Sequence, residues 1–234
     1  MSSSSIAVIP ARANSKRVPR KNIRLFLGKP IIAYTIEAAL TSGLFARVIV
    51  STDSEEYAEI ARQFGAETPF LRGDALAGDH VPISAVTVDV LERLDPDGSL
   101  YPDVCQLMAN CPLRTAEDIQ DSYRQFRESE ARTQISVTRS GWLNPWWAMT
   151  RDDQYHLEPI FKEALTQRSQ DLPALFVPTG AVWWAKSAVL RQEKTFHTPD
   201  RRGWEIPWFR AVDIDDEDDW LLAKALMQVR TMEE

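Results

Sequence analysis

The stretch Ile9-Pro10-Ala11-Arg12-Ala13-Asn14-Ser15-Lys16-Arg17-Val18-Pro19-Arg20-Lys21-Asn22 is the part of the sequence best equipped for chemistry. It follows the apolar run Ile6-Ala7-Val8-Ile9 and precedes a helical pattern, the place where an α/β sheet opens its ligand crevice. A loop there aims cationic side chains and backbone amides at phosphates, arginine as a planar fork and lysine as a mobile point charge. A triphosphate needs several such groups. Neither G-x-x-x-x-G-K nor G-x-G-x-x-G occurs anywhere, so P-loop kinases and dinucleotide dehydrogenases lose their main support. The bland alternative is a solvated basic loop.

A second signal lies near the other end, in Ala211-Val212-Asp213-Ile214-Asp215. Read as a strand, it points Asp213 and Asp215 to one face while Val212 and Ile214 pack behind. Two hard carboxylates on one face suit Mg²⁺, which takes one or two protein carboxylates and completes its shell with water and substrate phosphates. The competing reading is an acidic helix start, since the acids from Asp215 to Asp219 favour the positive end of a helix dipole. That reading is preferred from Asp216 onward; for Asp213 and Asp215 the apolar alternation favours a metal.

Charge distribution supports a small anionic ligand. The net charge is -7, yet residues 1 to 36 hold seven bases (Arg12, Lys16, Arg17, Arg20, Lys21, Arg24, Lys29) and no acid. The rest of the chain is strongly acidic, whereas nucleic-acid binders usually carry an extended basic surface. No nucleic-acid partner is expected. No apolar run approaches the ~20 residues that span a bilayer, and the Met-Ser-Ser-Ser-Ser start lacks the regions of a signal peptide, so a cytoplasmic protein with no membrane partner is expected. Cys105 and Cys111 have no histidine at a metal-ligand spacing and read as plain buried thiols.

The elements that must position these residues are legible over the first 140. Ile6 to Ile9, Val48 to Val50, Val104 to Met108 and Ile135 to Val137 read as buried strands. Between them lie a helix opened by Pro30, with a stripe of Ile32, Ile36, Ala39 and Leu40 ended by Gly43; a helix capped by Asp53 or Ser54, with Tyr57, Ile60, Ala61 and Phe64 inward; and a third over Pro82 to Leu94. Thr115 to Asp118 opens a fourth as a capping-box variant. Alternating β and α elements imply a doubly wound, mostly parallel sheet with ligands at the carboxyl ends of its strands. From 141 the rhythm fails: Trp142, Trp146, Trp147, Trp183, Trp184, Trp204 and Trp208 cluster before a last strand and helix. Core, dimer interface and sugar-stacking surface are all open for them. Three segments are therefore expected: a nucleotide-binding core over 1–140, a tryptophan-rich segment over 141–208, and a return to the core over 209–234.

Taken together the motifs resemble the acylneuraminate cytidylyltransferase family, the CMP-nonulosonic acid synthetases. The resemblance rests on I-P-A-R-A-N-S-K-R-V-P-R-K-N-I at 9–23, G-K-P-I-I-A-Y-T-I at 28–36, V-I-V-S-T-D-S at 48–54, F-L-R at 70–72, C-P-L-R at 111–114 and V-D-I-D at 212–215. It implies a Rossmann-like nucleotidyltransferase fold, with 141–208 as a dimerisation and sugar-side insertion, and an enzyme that couples CTP to the anomeric hydroxyl of a nine-carbon 2-keto sugar acid. It further implies that Arg12, Lys16 and Lys21 hold the triphosphate, with Arg12 and Lys21 as catalytic candidates. Asn22 would assist at the nucleotide, Arg72 would lie near the base or phosphates, and Asp213 and Asp215 would bind Mg²⁺. Asn14, Ser15, Ser84, Met108 and Asn110 complete the expected substrate-binding set, and a homodimer is expected.

The departures are informative. The Gln-Pro-Thr-Ser-Pro of the sialic acid branch stands here as Met108-Ala109-Asn110-Cys111-Pro112, which replaces a ligand-side glutamine by Met108. Its Asn-Gly stands as Thr179-Gly180, and its serine or threonine after Asp79 as Ile83, with Ser84 one step on. Glu205-Ile206-Pro207 is closer to the pseudaminic acid branch. His80 reads as an exposed loop histidine, and Arg114 either braces its helix start or folds over the site. A Kdo-type cytidylyltransferase, a D-x-D glycosyltransferase and a catalytically silent nucleotide-binding relative are the alternatives.

Overall fold

The computed structural model describes residues 4–76, 78, 81–141 and 143–233, so Asp79, His80 and Trp142 lie outside the described residues. Ser5–Pro10 (β1) is buried along its whole length, as an apolar run covered on both faces must be. The chain leaves it through the basic loop and turns in a small hairpin, Leu25–Phe26 (β2) against Lys29–Pro30 (β3). Leu27 and Gly28 both have positive φ there, the backbone a two-residue hairpin turn requires. Helix α1 (Ile31–Thr41) follows, with Pro30 just outside it as N-cap. Ile32, Ile36 and Ala39 are buried as expected, whereas Leu40 is 45% exposed and belongs to the edge of the stripe.

Phe45–Ser51 (β4) leads into Glu55–Gln63 (α2), and Ile83–Leu94 (α3) precedes Asp103–Gln106 (β5). Ala116–Glu128 (α4) opens on the anticipated capping box: Thr115 Oγ1 accepts from Asp118 N at 3.1 Å, and Asp118 Oδ2 accepts from Thr115 N at 2.9 Å. Thr133–Arg139 (β6) is followed by an arm containing the short pair Met149–Arg151 (β7) and Leu157–Pro159 (β8). Phe176–Lys186 (β9), Ser187–Glu193 (α5), Arg202–Glu205 (β10) and Glu217–Glu233 (α6) complete the chain.

Six strands form the central sheet in the order β10-β6-β9-β5-β1-β4. β1 pairs in parallel with β4 and β5, and β10 with β6, while β9 runs antiparallel between β5 and β6. The direction of β9 follows from its connection. The chain leaves β6 at the carboxyl edge of the sheet and, after the arm, re-enters at that edge with Phe176 opposite Arg139, so no crossover reverses it. The tryptophan-rich stretch therefore does not stand apart from the core as a whole. Trp183, Trp184 and Trp204 are core residues, Trp184 packing on Phe45, Tyr123 and Phe126, because β9 and β10 are strands of the main sheet. Trp147 and Trp208 remain exposed by 41% and 54%.

Helices cover both faces, α1, α2 and α4 on one and α3 and α5 on the other. A third apolar cluster matters most for the site. Val18, Phe26, Ile31, Leu113, Ile214 and Trp220 pack together, tying the basic loop to the segment before α6. Cys105 and Cys111 are free, buried thiols. Among the described residues, no helix is long and apolar enough to cross a membrane.

Candidate functional site

β1, β4 and β5 all end at the same edge, and the loops that follow them build a cleft of about 480 Å³. Arg12, Ser15, Lys16, Arg17, Lys21 and Asn22 come from the loop after β1, Arg72 from the segment after α2, Met108 and Asn110 from beyond β5. Asp213 and Asp215 close it from a distance of two hundred residues in sequence. The loop is shaped by bonds that its own sequence could not announce. Ala13 N donates to Asp53 Oδ1 at 2.8 Å, Tyr57 Oη donates to Ala13 O at 3.2 Å, and Asn22 Nδ2 donates to Arg12 O at 3.2 Å. Asp53 thus holds the phosphate-loop candidate rather than capping α2, and the Ser54 N-cap makes no side-chain cap bond either.

The seven bases of the amino-terminal segment divide. Arg12, Lys16, Arg17 and Lys21 line the cleft. Arg20 pairs with Glu56, Arg24 pairs with Glu217 and lies over Trp220, and Lys29 pairs with Glu37, all outside it. Lys21 is the link between the two functional segments: its Nζ donates to Ile214 O at 2.6 Å and to Asp215 Oδ1 at 3.0 Å. Arg17, which motif spacing alone did not single out, reaches Asp215 Oδ2 at 2.8 Å.

Residues 211–215 are not a strand. They carry no regular secondary structure and join no sheet, and they are fastened through Asn110: Ile214 N donates to Asn110 O at 3.0 Å, and Asn110 Nδ2 donates to Ile214 O at 2.8 Å and to Asp213 Oδ1. Alternation nevertheless holds, with Ile214 fully buried and both carboxylates on the cleft. Their environments differ. Burial, reinforced by the charge of Asp215, pushes the Asp213 carboxyl up to about 6. Burial acts upward on Asp215 too, but Lys21 and Arg17 outweigh it and hold that carboxyl below its ordinary value. Among the described residues no cation lies within 4 Å of Asp213.

Three expected residues are placed differently. Asn14 lines an adjoining depression with Ala13, Pro19 and Arg20, not the main cleft. Ser84 is buried in the first turn of α3; Ile83 and Val86, three residues apart and so on one helix face, front the cleft in its place. Arg114 neither braces its helix start nor folds over the site. It is buried beneath the floor, donating to Ala181 O and, at 2.6 Å, to Thr35 Oγ1, and burial draws its pKa below the ordinary arginine value. Arg72 is only 5% exposed, its Nε and Nη2 have no hydrogen-bond partner among the described residues, and burial lowers its pKa as well. The apolar wall of Leu76, Val81, Ile83 and Val86 went unread in the sequence, although the spacing of Ile83 and Val86 was its signal.

Among the described residues no three His, Cys, Asp or Glu side chains gather into a self-sufficient metal centre. The donor set on the wall, two carboxylates of which Asp213 makes no ion pair among the described residues, still fits a hard divalent ion that takes its remaining ligands from water and phosphate.

The chain is similar to known proteins along nearly its whole length. It is 34% identical over 231 residues to pseudaminic acid cytidylyltransferase of Campylobacter jejuni, covering 96% of each chain. It is 32% identical over 226 residues to CMP-N,N'-diacetyllegionaminic acid synthase of Legionella pneumophila, again covering 96% of each. The solved structure of CMP:2-keto-3-deoxy-manno-octonic acid synthetase complexed with CTP superimposes with a TM-score of 0.72 at 17% identity, over 97% of this chain and 99% of that one, a likeness of fold. With residues 6–180 matching the cytidylyltransferase family from the first strand to the middle of β9, and full-length relatives above 30% identity, the chain belongs to the cytidylyltransferase family.

Proposed function

We propose that this protein transfers CMP from CTP to the anomeric hydroxyl of a nine-carbon 2-keto sugar acid, releasing pyrophosphate. The observation that carries the reading is the meeting of Arg12, Lys16, Arg17 and Lys21 with Asp213 and Asp215 around one cleft at the carboxyl ends of the strands. Relatives named for pseudaminic and legionaminic acid, each matched over nearly the whole chain, support the sugar class.

In this reading the sugar hydroxyl oxygen forms a bond to the α-phosphorus and its proton is released to water, as the bond from that phosphorus to the departing pyrophosphate breaks. Arg12, Lys16 and Lys21 hold the triphosphate and take up the charge that grows on its leaving part, so catalysis is mostly positioning and charge neutralisation. Buried Arg72 adds a cation two of whose nitrogens have no hydrogen-bond partner among the described residues. Asp213 and Asp215 would hold Mg²⁺, which neutralises phosphate charge when bound. Met108, in place of a polar ligand-side residue, and the apolar wall from Leu76 to Val86 would contact the less polar parts of the substrates.

The arm over 141–175 and the start of β9 expose Leu143, Leu157, Ile160, Phe176 and Val177 by between 45% and 70%. A patch of that kind supports a homodimer built through the arm. Light scattering at micromolar protein reads this directly, and a monomeric mass would refute it.

The activity itself is tested by incubation with each of the four nucleoside triphosphates, Mg²⁺ and a panel of 2-keto sugar acids including the eight-carbon Kdo. Pyrophosphate release that requires CTP and a nine-carbon acid, with a product of CMP-sugar mass, is expected. Release with Kdo alone, or none with any pair, would overturn the proposal.

A further inference from the structure

Strand β9 is distorted where it passes under the cleft. Ile135 of β6 stands opposite Trp183 and Val137 opposite Pro178, so residues 179–182 have only Ser136 across from them. The Ser136 hydroxyl fills the gap, donating to Thr179 O at 3.0 Å and accepting from Val182 N at 3.0 Å. From the other side the buried Arg114 guanidinium donates to Ala181 O. The surplus backbone, pinned in this way, bulges toward the floor of the site, and Met108 N donates to Gly180 O at 3.2 Å.

The approach is too close for a side chain at 180. A Cβ built there would lie 2.6 Å from Met108 Cγ and 2.9 Å from Asp213 Oδ2. Gly180 is not among the residues with positive φ, so its backbone conformation admits alanine, and replacing such a glycine ordinarily stabilises a protein by restricting the unfolded chain. Space, not backbone geometry, demands glycine here.

We infer that Gly180, presented by the β9 bulge, is a positioning residue that sets the seats of Met108 and Asp213 and thereby the depth of the cleft floor. The bare Cα lets two cleft residues from distant parts of the chain rest against one strand. What the cleft does with that geometry rests on the function proposed above; the steric relation itself does not.

Gly180→Ala, Met108→Ala and the double variant, compared with wild type in the full chain, test it through melting temperature and through kcat and KM in the pyrophosphate assay. Gly180→Ala is expected to lower the melting temperature and to cut kcat by about tenfold or more while KM for CTP stays within about threefold, because the basic loop forms the other wall. Truncating Met108 at Cβ removes the 2.6 Å contact, while Asp213 Oδ2 at 2.9 Å and Met108 Cβ at 3.1 Å still face the new methyl group. The double variant should therefore recover part of the kcat and melting temperature lost in Gly180→Ala. Wild-type melting temperature and kcat in Gly180→Ala, or a double variant no better than Gly180→Ala, would overturn the inference. If wild type releases no pyrophosphate while the melting temperatures show the rescue, the functional reading fails and the positioning stands; if wild type turns over and the rescue is absent, the positioning fails.

Discussion

At the amino end of β5, Asp103 is fully buried and accepts hydrogen bonds from Lys186 Nζ at 2.8 Å, Arg127 Nη1 at 2.9 Å and Tyr123 Oη at 3.0 Å. Just beyond the carboxyl end of the same strand, Asn110 holds Asp213, a largely buried carboxylate to which no described cation comes within ion-pair distance. Four bases line the cleft beside it, and two of them, Arg17 and Lys21, are placed on Asp215. One end of the sheet completes its electrostatics within the fold. The other leaves Asp213 without an ion pair among the described residues, and a buried carboxylate is costly enough that such groups cluster where a protein uses them, which is the role the proposed function gives it.

The contrast is sharpest in the variants that separate stability from turnover. Asp103→Asn leaves the Lys186 and Arg127 cations without their shared carboxylate and is expected to destabilise the fold by about 3 kcal/mol, with kcat per folded molecule unchanged. Urea titration and an active-site count read the two quantities separately; a loss of kcat at full folding would erase the distinction between the two ends. Asp215→Asn should do the opposite, reducing turnover by about a hundredfold with the fold intact. Near-normal rates at limiting Mg²⁺ would remove Asp215 from the proposed metal site.

Smaller effects test the basic loop. Arg12→Ala and Lys21→Ala are each expected to weaken CTP by roughly tenfold and to slow the chemical step, since charge on the phosphates rises toward the transition state. Lys29→Ala, whose partner Glu37 lies outside the cleft, should stay within about twofold of wild type. Equal damage from Lys29→Ala and Lys21→Ala in calorimetric titration of CTP would mean diffuse electropositive attraction rather than positioned contacts.

How much of this was legible in the sequence depended on how local each cause was. The basic loop after β1 and the Thr115–Asp118 capping box are written in consecutive residues, and both were readable. The two carboxylates were found for a partly mistaken reason. Val-Asp-Ile-Asp alternates apolar and acidic residues, and what holds this segment is Asn110 and Lys21 rather than a neighbouring strand. The direction of β9 was hidden because Ala181 to Ala185, rich in tryptophan and buried on both faces, carries no period, and its place between β5 and β6 is set by the arm before it. Likewise, nothing adjacent in sequence says that Arg20, Arg24 and Lys29 are paired away from the cleft, or that Ser84 turns inward while Ile83 faces out.

Asp213→Asn at pH 7.5, in the absence of metal and nucleotide, tests the central claim most directly. The folded-state pKa of Asp213, about 6, lies above its ordinary value of 3.8, so the native state binds the extra proton between those two pH values. Stability therefore falls as pH rises through that window, and above it the full cost of the buried charge, on the order of 2 to 3 kcal/mol, is present. The amide removes that cost. The account predicts an Asp213→Asn protein more stable than wild type at pH 7.5, with the gain shrinking toward pH 4, and with turnover reduced by about a hundredfold. A variant that is less stable than wild type at pH 7.5, or equally stable and still active, would contradict it.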